Sequence, residues 1–317
     1  MKMNKLWIII KIILGVTIVY LLLRKIGLKD IGDALALTDA SYVVAAFIIL
    51  ILVYVIGTIR LYFLIIPIKK ISLLKLFRYS SISWVAGVII PTADIISFSY
   101  LLKKEGIDLG PGLAINFLDK AITLAVLTGL SLLAFLKFLP LSQATNLIIM
   151  VSALFLITLL AISPLGRAAV RRLILRKYSE NFTGFWRVLK WFLLKKKILL
   201  IVNVALTLIK FITTAAITYI LFLPLGIQVS LYDVSLITAI ILIVKLIPSP
   251  LIFPGIREAV GFSLAVLLYA QIGVAAPVVV SIYIIVYALS YLYALLTVAF
   301  MDYKPLIKLS RDKTTLP

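Results

Sequence analysis

Six apolar runs divide the chain: Leu6–Leu23, Tyr42–Ile66, Ile115–Leu139, Leu147–Pro164, Ile198–Leu223 and Val278–Phe300. Roughly 20 helical residues cross a hydrocarbon core of about 30 Å, so each run predicts a full span. Two further apolar segments are interrupted near their middle. In Ser80–Leu102 the interruption is Ile90-Pro91-Thr92-Ala93-Asp94, and in Asp233–Gln271 it is the stretch Pro248 to Gly255, with prolines at 248, 250 and 254. Proline has no N–H and its ring clashes with the carbonyl four residues back, so a helix stops at each break. The two arms of Ser80–Leu102 have about ten residues each, or about 15 Å at helical rise, half of the core. Segments of this kind predict re-entrant helical hairpins, whose irregular backbone survives at membrane depth only when it is buried in protein or lines a cavity.

The basic residues orient these elements, because Lys and Arg accumulate on the cytoplasmic side. Lys2 and Lys5 precede the first run, while Lys69, Lys70, Lys75 and Arg78 follow the second. Lys103 and Lys104 follow the first hairpin, so that segment enters and leaves on the cytoplasmic face. Arg171, Arg172, Arg176, Lys177 and Lys195 to Lys197 lie between the fourth and fifth runs, and Lys304, Lys308, Arg311 and Lys313 lie in the tail. The stretches 142–146, 224–230 and 271–276 carry no positive charge, so the second hairpin starts and ends outside. With this topology 22 of the 32 Lys/Arg are cytoplasmic, 3 are outside (Arg24, Lys25 and Lys29) and 7 lie within apolar segments. The expected fold class is an all-α polytopic membrane protein with six full spans and two oppositely oriented re-entrant hairpins. It forms one membrane domain over 1–317, an inverted-topology repeat of about 1–140 and 146–303 with a cytoplasmic tail at 304–317. A local echo accompanies the repeat: Asp94-Ile-Ile-Ser97-Phe98-Ser99 against Glu258-Ala-Val-Gly261-Phe262-Ser263, each just after a proline break.

Composition narrows the chemistry. A chain that is 64% hydrophobic, with mean hydropathy +1.21, is a membrane protein, and its longest polar stretch, 166–197, is only a loop. A fused catalytic domain is not expected, and the first run reads as a retained span rather than a signal peptide. The absence of cysteine and histidine removes disulfides, thiolate nucleophiles, imidazole bases and the usual zinc and haem ligands, so neither cofactor nor metal is expected. The net charge of +20 is read as topological, fitting anionic lipid headgroups and not nucleic acid.

The charges inside apolar segments are the candidate site. Lys11 has little context, and Lys137 is near enough to a span end to snorkel. Arg60 either snorkels to the cytoplasmic surface or faces the interior. Lys210 and Lys245 are deeper, where an unpaired cation costs roughly 2.5–3.5 kcal/mol, so they call for Asp94, Asp119, Glu258 or an anionic ligand as partner. Asp119 and Lys120 read as an interfacial pair at the start of the third span, or as a pair facing a cavity. Both hairpin tips aim a helix N-terminus into the membrane, which favours an anion, and Arg257 in the first turn adds a fork suited to phosphate. A second reading has Arg257 and Glu258 pairing with neighbouring charges to lock the fold.

The segment Gly255-Ile-Arg257-Glu258-Ala259 after a proline-rich break resembles the Gly-x-Arg-Glu-Ala signature of the lysylphosphatidylglycerol synthase transmembrane-region family, the flippase-like half of the multiple peptide resistance factor. Pro91 to Asp94 followed by Leu101-Leu102-Lys103-Lys104-x-Gly106 is similar to a second family motif, and Asp119-Lys120 is similar to a third. Ile252, Phe253, Thr92 and Ala93 stand where the family usually has glycine. The resemblance implies a lipid flippase without the aminoacyl-transferring domain, carrying an anionic phospholipid or a glycosylated polyprenyl-phosphate lipid. On this reading Arg60, Asp94, Asp119, Lys120, Lys210, Lys245, Arg257 and Glu258 bind the substrate in the cell membrane, with both termini cytoplasmic and a homo-oligomer allowed. The alternatives are a membrane enzyme acting on a lipid phosphate, with Asp94, Asp119 or Glu258 as base, and a proton-coupled transporter of a small solute.

Overall fold

The computed structural model describes residues 26–89, 93–138, 183–246 and 256–301, with a few isolated positions elsewhere; the side chains at 88–89, 244–246 and 256–259 are not among them. The described residues form helices and connecting turns. In chain order the helices are α1 (Leu28–Ala36), α2 (Ala40–Ile65), α3 (Leu73–Ile89), α4 (Ala93–Lys104), α5 (Leu109–Phe138), α6 (Phe185–Lys195), α7 (Lys197–Phe222), α8 (Leu231–Leu246), α9 (Ile256–Ala270) and α10 (Ala276–Phe300). Four of them, α2, α5, α7 with the 3-10 turn that extends it to Leu225, and α10, are long and apolar enough to cross a membrane. They correspond to the second, third, fifth and sixth apolar runs. The first run, Leu6–Leu23, the fourth, Leu147–Pro164, the breaks at Pro91 and at 248–255, and the tail at 304–317 lie outside the described residues.

One helix starts earlier than its apolar run predicts. The run begins at Ile115, whereas α5 begins at Leu109 and takes Gly110-Pro111-Gly112 into its first turn. Proline is tolerated there because the first N–H groups of a helix have no intrahelical partner. Asp119 and Lys120 are consequently interior helix residues, ten and eleven positions into α5, and do not form a pair at its start.

The second arm of each broken segment ends in the same way. At the end of α4 the Ile107 N–H donates to the Leu102 carbonyl at 3.1 Å and the Gly106 N–H donates to that of Lys103 at 2.9 Å. At the end of α9 the Val274 N–H donates to the Tyr269 carbonyl at 3.1 Å and the Gly273 N–H donates to that of Ala270 at 3.1 Å. Gly106 and Gly273 both have φ +79°, the left-handed conformation that lets a helix fold back its last carbonyls at no steric cost. The flanking apolar pairs, Leu102 with Ile107 and Tyr269 with Val274, are buried.

The chain forms two compact units, and each of the four long helices contributes residues to both. The first comprises Met1–Val53, Leu127–Ile148 and Phe211–Tyr291. It contains α1, α8 and α9; there α1 is tied to α10 by the Ser281 hydroxyl, which donates to the Ile31 carbonyl at 3.0 Å. Lys137 does not snorkel alone, because its Nζ meets Asp233 Oδ1 of α8 at 2.5 Å. The second unit comprises Tyr54–Val126, Ile149–Lys210 and Leu292–Pro317. It contains α3, α4 and α6, and its core gathers Leu64 and Ile65 of α2, Leu76 of α3, Phe98 and Leu102 of α4, Ile115 of α5 and Phe192 of α6. Lipid is as apolar as leucine, so close packing and interhelical polar bonds matter more here than burial as such. Asn116 of α5 illustrates the point, donating to Ser99 Oγ of α4 at 3.0 Å.

Candidate functional site

The candidate site in the second unit is built from one face each of α2, α5 and α7. On α7, Asn203, Thr207 and Lys210 follow at intervals of four and three, which puts them on a single stripe of an otherwise apolar helix. On α5, Asp119 and Thr123 are one turn apart, and on α2 Gly57 is three residues before Arg60.

Arg60 is 5% exposed and Asp119 3%. Arg60 Nε approaches Asp119 Oδ1 at 2.8 Å, and its NH2 donates to Oδ2, also at 2.8 Å. Arg60 NH1 donates to Thr123 Oγ1 at 2.9 Å and to Thr207 Oγ1 at 3.0 Å. Both threonine hydroxyls pass their own proton to a helix carbonyl, that of Asp119 and that of Asn203. Asn203, fully buried, donates to the Arg60 carbonyl at 3.3 Å. The planar guanidinium thus meets both oxygens of one carboxylate while two hydroxyls take NH1, the arrangement that offsets the cost of removing two charges from water. Arg60 does not snorkel: it is held inside by α5 and α7.

Lys210 is on the same face. A Cβ added at Gly57 would lie 3.2 Å from Lys210 Nζ, so the missing side chain at 57 makes room for the ammonium. Lys210 is within electrostatic reach of Arg60, Asp119 and Lys120.

Lys120, the next residue of α5, turns to a different partner. Its Nζ meets Asp94 Oδ2 of α4 at 3.1 Å, with side chains 41% and 30% exposed. Asp94 is in the first turn of α4, where a carboxylate complements the positive end of the helix dipole. A Cβ at Gly87 of α3 would come within 2.9 Å of Asp94 Cβ, so α3 packs directly on this carboxylate. By formal charge, Arg60, Lys120 and Lys210 against Asp94 and Asp119 leave the group one positive charge in excess.

Five of the eight sequence candidates, Arg60, Asp94, Asp119, Lys120 and Lys210, therefore share one unit. The other three are on helices of the first unit, Lys245 on α8 and Arg257 and Glu258 in the first turn of α9; their side chains lie outside the described residues. Thr123, Asn203, Thr207 and Gly57 were not among the candidates. The signal for two of them was available, since Asn203 and Thr207 precede Lys210 at helical spacing.

No curated protein and no solved structure matches the chain. The family described as Lysylphosphatidylglycerol synthase TM region matches residues 8–298, nearly the whole length, and the motifs around Asp94, Asp119 and Arg257 are all inside that span. The chain belongs to the Lysylphosphatidylglycerol synthase TM region family.

Proposed function

We propose that the protein moves an anionic or glycosylated lipid between leaflets, with the lipid phosphate exchanging for Asp94 at Lys120. The observation that carries this reading is the partly exposed Lys120–Asp94 pair beside the buried Arg60–Asp119 pair, in a group with one surplus formal positive charge. Arg60 is buried and already turned to Asp119, Thr123 and Thr207, so an incoming anion would have to displace one of them. Lys120 can give up its carboxylate at low cost if water reaches the pair, because a hydrated ion pair contributes at most about 1 kcal/mol. When a phosphate takes the ammonium, Asp94 remains in the first turn of α4, near the positive end of the helix dipole. Lys210 and Arg60 supply the field that makes an anion welcome at that depth.

In this proposal the fold is an inverted repeat, and alternating access moves the two halves about the bound headgroup. Three features support it. The order short, long, short, short, long describes both α1 to α5 and α6 to α10. The Gly106 and Gly273 caps match in dihedral and bonding. The pair α3 and α4 belongs wholly to one unit and the pair α8 and α9 wholly to the other, as expected of one broken segment per repeat. Lys245, Arg257 and Glu258 are then the counterpart group of the second repeat, with Glu258 in the place of Asp94, and both termini are cytoplasmic in a cell membrane.

The test uses reconstituted vesicles with headgroup-labelled phosphatidylglycerol in the outer leaflet and a membrane-impermeant quencher. Translocation is expected to exceed that of protein-free vesicles while the lipid is recovered chemically unchanged. Conversion of the lipid to a new species would favour the enzyme reading, and a background rate would remove the flippase reading for this headgroup.

A further inference from the structure

Helix α6 carries charge that the translocation site does not use. Its inner face is fixed: Phe185, Leu189 and Phe192 are buried in the core of the second unit, and the Phe185 ring meets Phe117 of α5 edge-on at 5.8 Å between centroids. Its outer face presents Arg187, Lys190 and Lys195 to the surroundings, and Lys197 begins α7. Leu193 and Leu194 project beside them, 43% and 60% exposed. Trp186 and Trp191 are half-buried, and Lys196 Nζ lies 5.2 Å from the centre of the Trp191 ring. The sequence contains no acidic residue from 183 to 232. Among the described residues, the acidic side chains at this end of the neighbouring helices are Glu105, which is held by Lys75 and Tyr79, and Asp108.

A single non-helical residue, Lys196, separates α6 from the spanning helix α7, so α6 belongs at the level where α7 leaves the hydrocarbon. Lysines with apolar stems, tryptophans and exposed leucines at that level match the headgroup region, with cations toward phosphates and apolar groups toward acyl chains. We infer that the outer face of α6 is a docking surface for anionic phospholipid of the membrane, separate from the translocation site. Charge complementarity selects this occupant: five cations from Arg187 to Lys197 without an acid among them need negative partners, and a leaflet rich in phosphatidylglycerol supplies them at fixed height. Because its inner face is locked into the core, α6 needs no folding to bind, and the lipids gather at the end of α5 that leads to Asp119 and Lys120.

The chain has no cysteine, so Leu194→Cys gives the full protein one attachment point for a fluorophore. In nanodiscs the label is quenched with either brominated phosphatidylglycerol or brominated phosphatidylcholine. Phosphatidylglycerol is expected to quench at a several-fold lower mole fraction, with the preference shrinking in high salt. Arg187→Gln and Lys190→Gln should each reduce that preference about fivefold, and Arg187→Lys should retain it. The same label at Leu133→Cys, an exposed α5 position with no basic cluster, should respond equally to both lipids. Equal quenching by the two lipids at 194, a preference that survives the double Gln variant, or no quenching by either lipid would overturn the docking surface. None of these outcomes depends on whether the protein translocates lipid.

Discussion

Asp119 and Lys120 are consecutive residues of one helix with opposite charges and opposite fates. Successive helix positions point about 100° apart, so Asp119 faces α2 and α7 while Lys120 faces α4. Asp119 is 3% exposed, in contact with Arg60 through both oxygens, and tied into a set of hydroxyls that are themselves satisfied. Among the described residues, Lys120 meets Asp94 at 3.1 Å, with a side chain 41% exposed. The comparison teaches that adjacent intramembrane charges differ in how firmly they are held. A charge buried among several partners ties helices together, and on the proposed reading a more exposed charge exchanges its carboxylate for the lipid phosphate.

The largest effect should come from breaking the saturated pair on one side. Arg60→Gln or Asp119→Asn leaves the other charge buried without its counterion, and a loss of about 3–5 kcal/mol is expected in detergent unfolding. Replacing both together should recover much of that loss; a double variant no more stable than the singles would mean that the surrounding hydroxyls, not the charges, hold the junction. Next in size is Gly87→Ala. Its Cβ would fall 2.9 Å from Asp94 Cβ, so α3 and α4 must part, at about 1–3 kcal/mol for an overpacked contact. Unchanged stability in thermal unfolding would show that α3 and α4 part freely at this point.

The smallest effect concerns Glu105, in the turn between α4 and α5. Burial pushes its carboxyl up, but hydrogen bonds from Lys75 at 2.7 Å and the Tyr79 hydroxyl at 2.6 Å, with the charges of Lys75 and Lys69, outweigh burial and hold it below the usual glutamate range. A depressed folded-state value adds stability above the unfolded-state range and loses it as pH falls through the lowered value. With Lys75 nearly half exposed, that stabilisation is under about 1 kcal/mol. Thermal stability of the native protein should therefore exceed that of Glu105→Gln at neutral pH and converge with it in acid; a gap that stays constant with pH would assign the effect to shape alone.

Much of the fold was legible because the membrane imposes a simple rule: backbone polar groups must be paired, so long apolar runs become helices and prolines end them. Four runs reappear as α2, α5, α7 and α10, and the two interrupted segments reappear as pairs of short helices. The apolar run begins at Ile115, but the helix begins at Leu109, because proline in a first turn displaces no hydrogen bond. Asp119 therefore read as lying near the start of the span, whereas it is ten residues into the helix. Residue type and depth identified Arg60, Asp119, Lys120, Asp94 and Lys210 as a group, but not who pairs with whom. Pairing depends on which faces of three helices meet, and single-chain periodicity is weak where helices are apolar all round. Gly57 was invisible for a different reason: its contribution is the space that Lys210 fills.

The most direct test of the division between a locked and an exchangeable pair is leaflet-to-leaflet transfer of labelled phosphatidylglycerol by Lys120→Gln and Lys120→Arg in reconstituted vesicles, with thermal stability measured on the same preparations. The predicted result is a loss of transfer of at least about tenfold for Lys120→Gln, a stability change within about 1 kcal/mol, and partial recovery in Lys120→Arg. Transfer at the native rate by a stable Lys120→Gln protein would contradict the account and remove Lys120 from the path of the lipid.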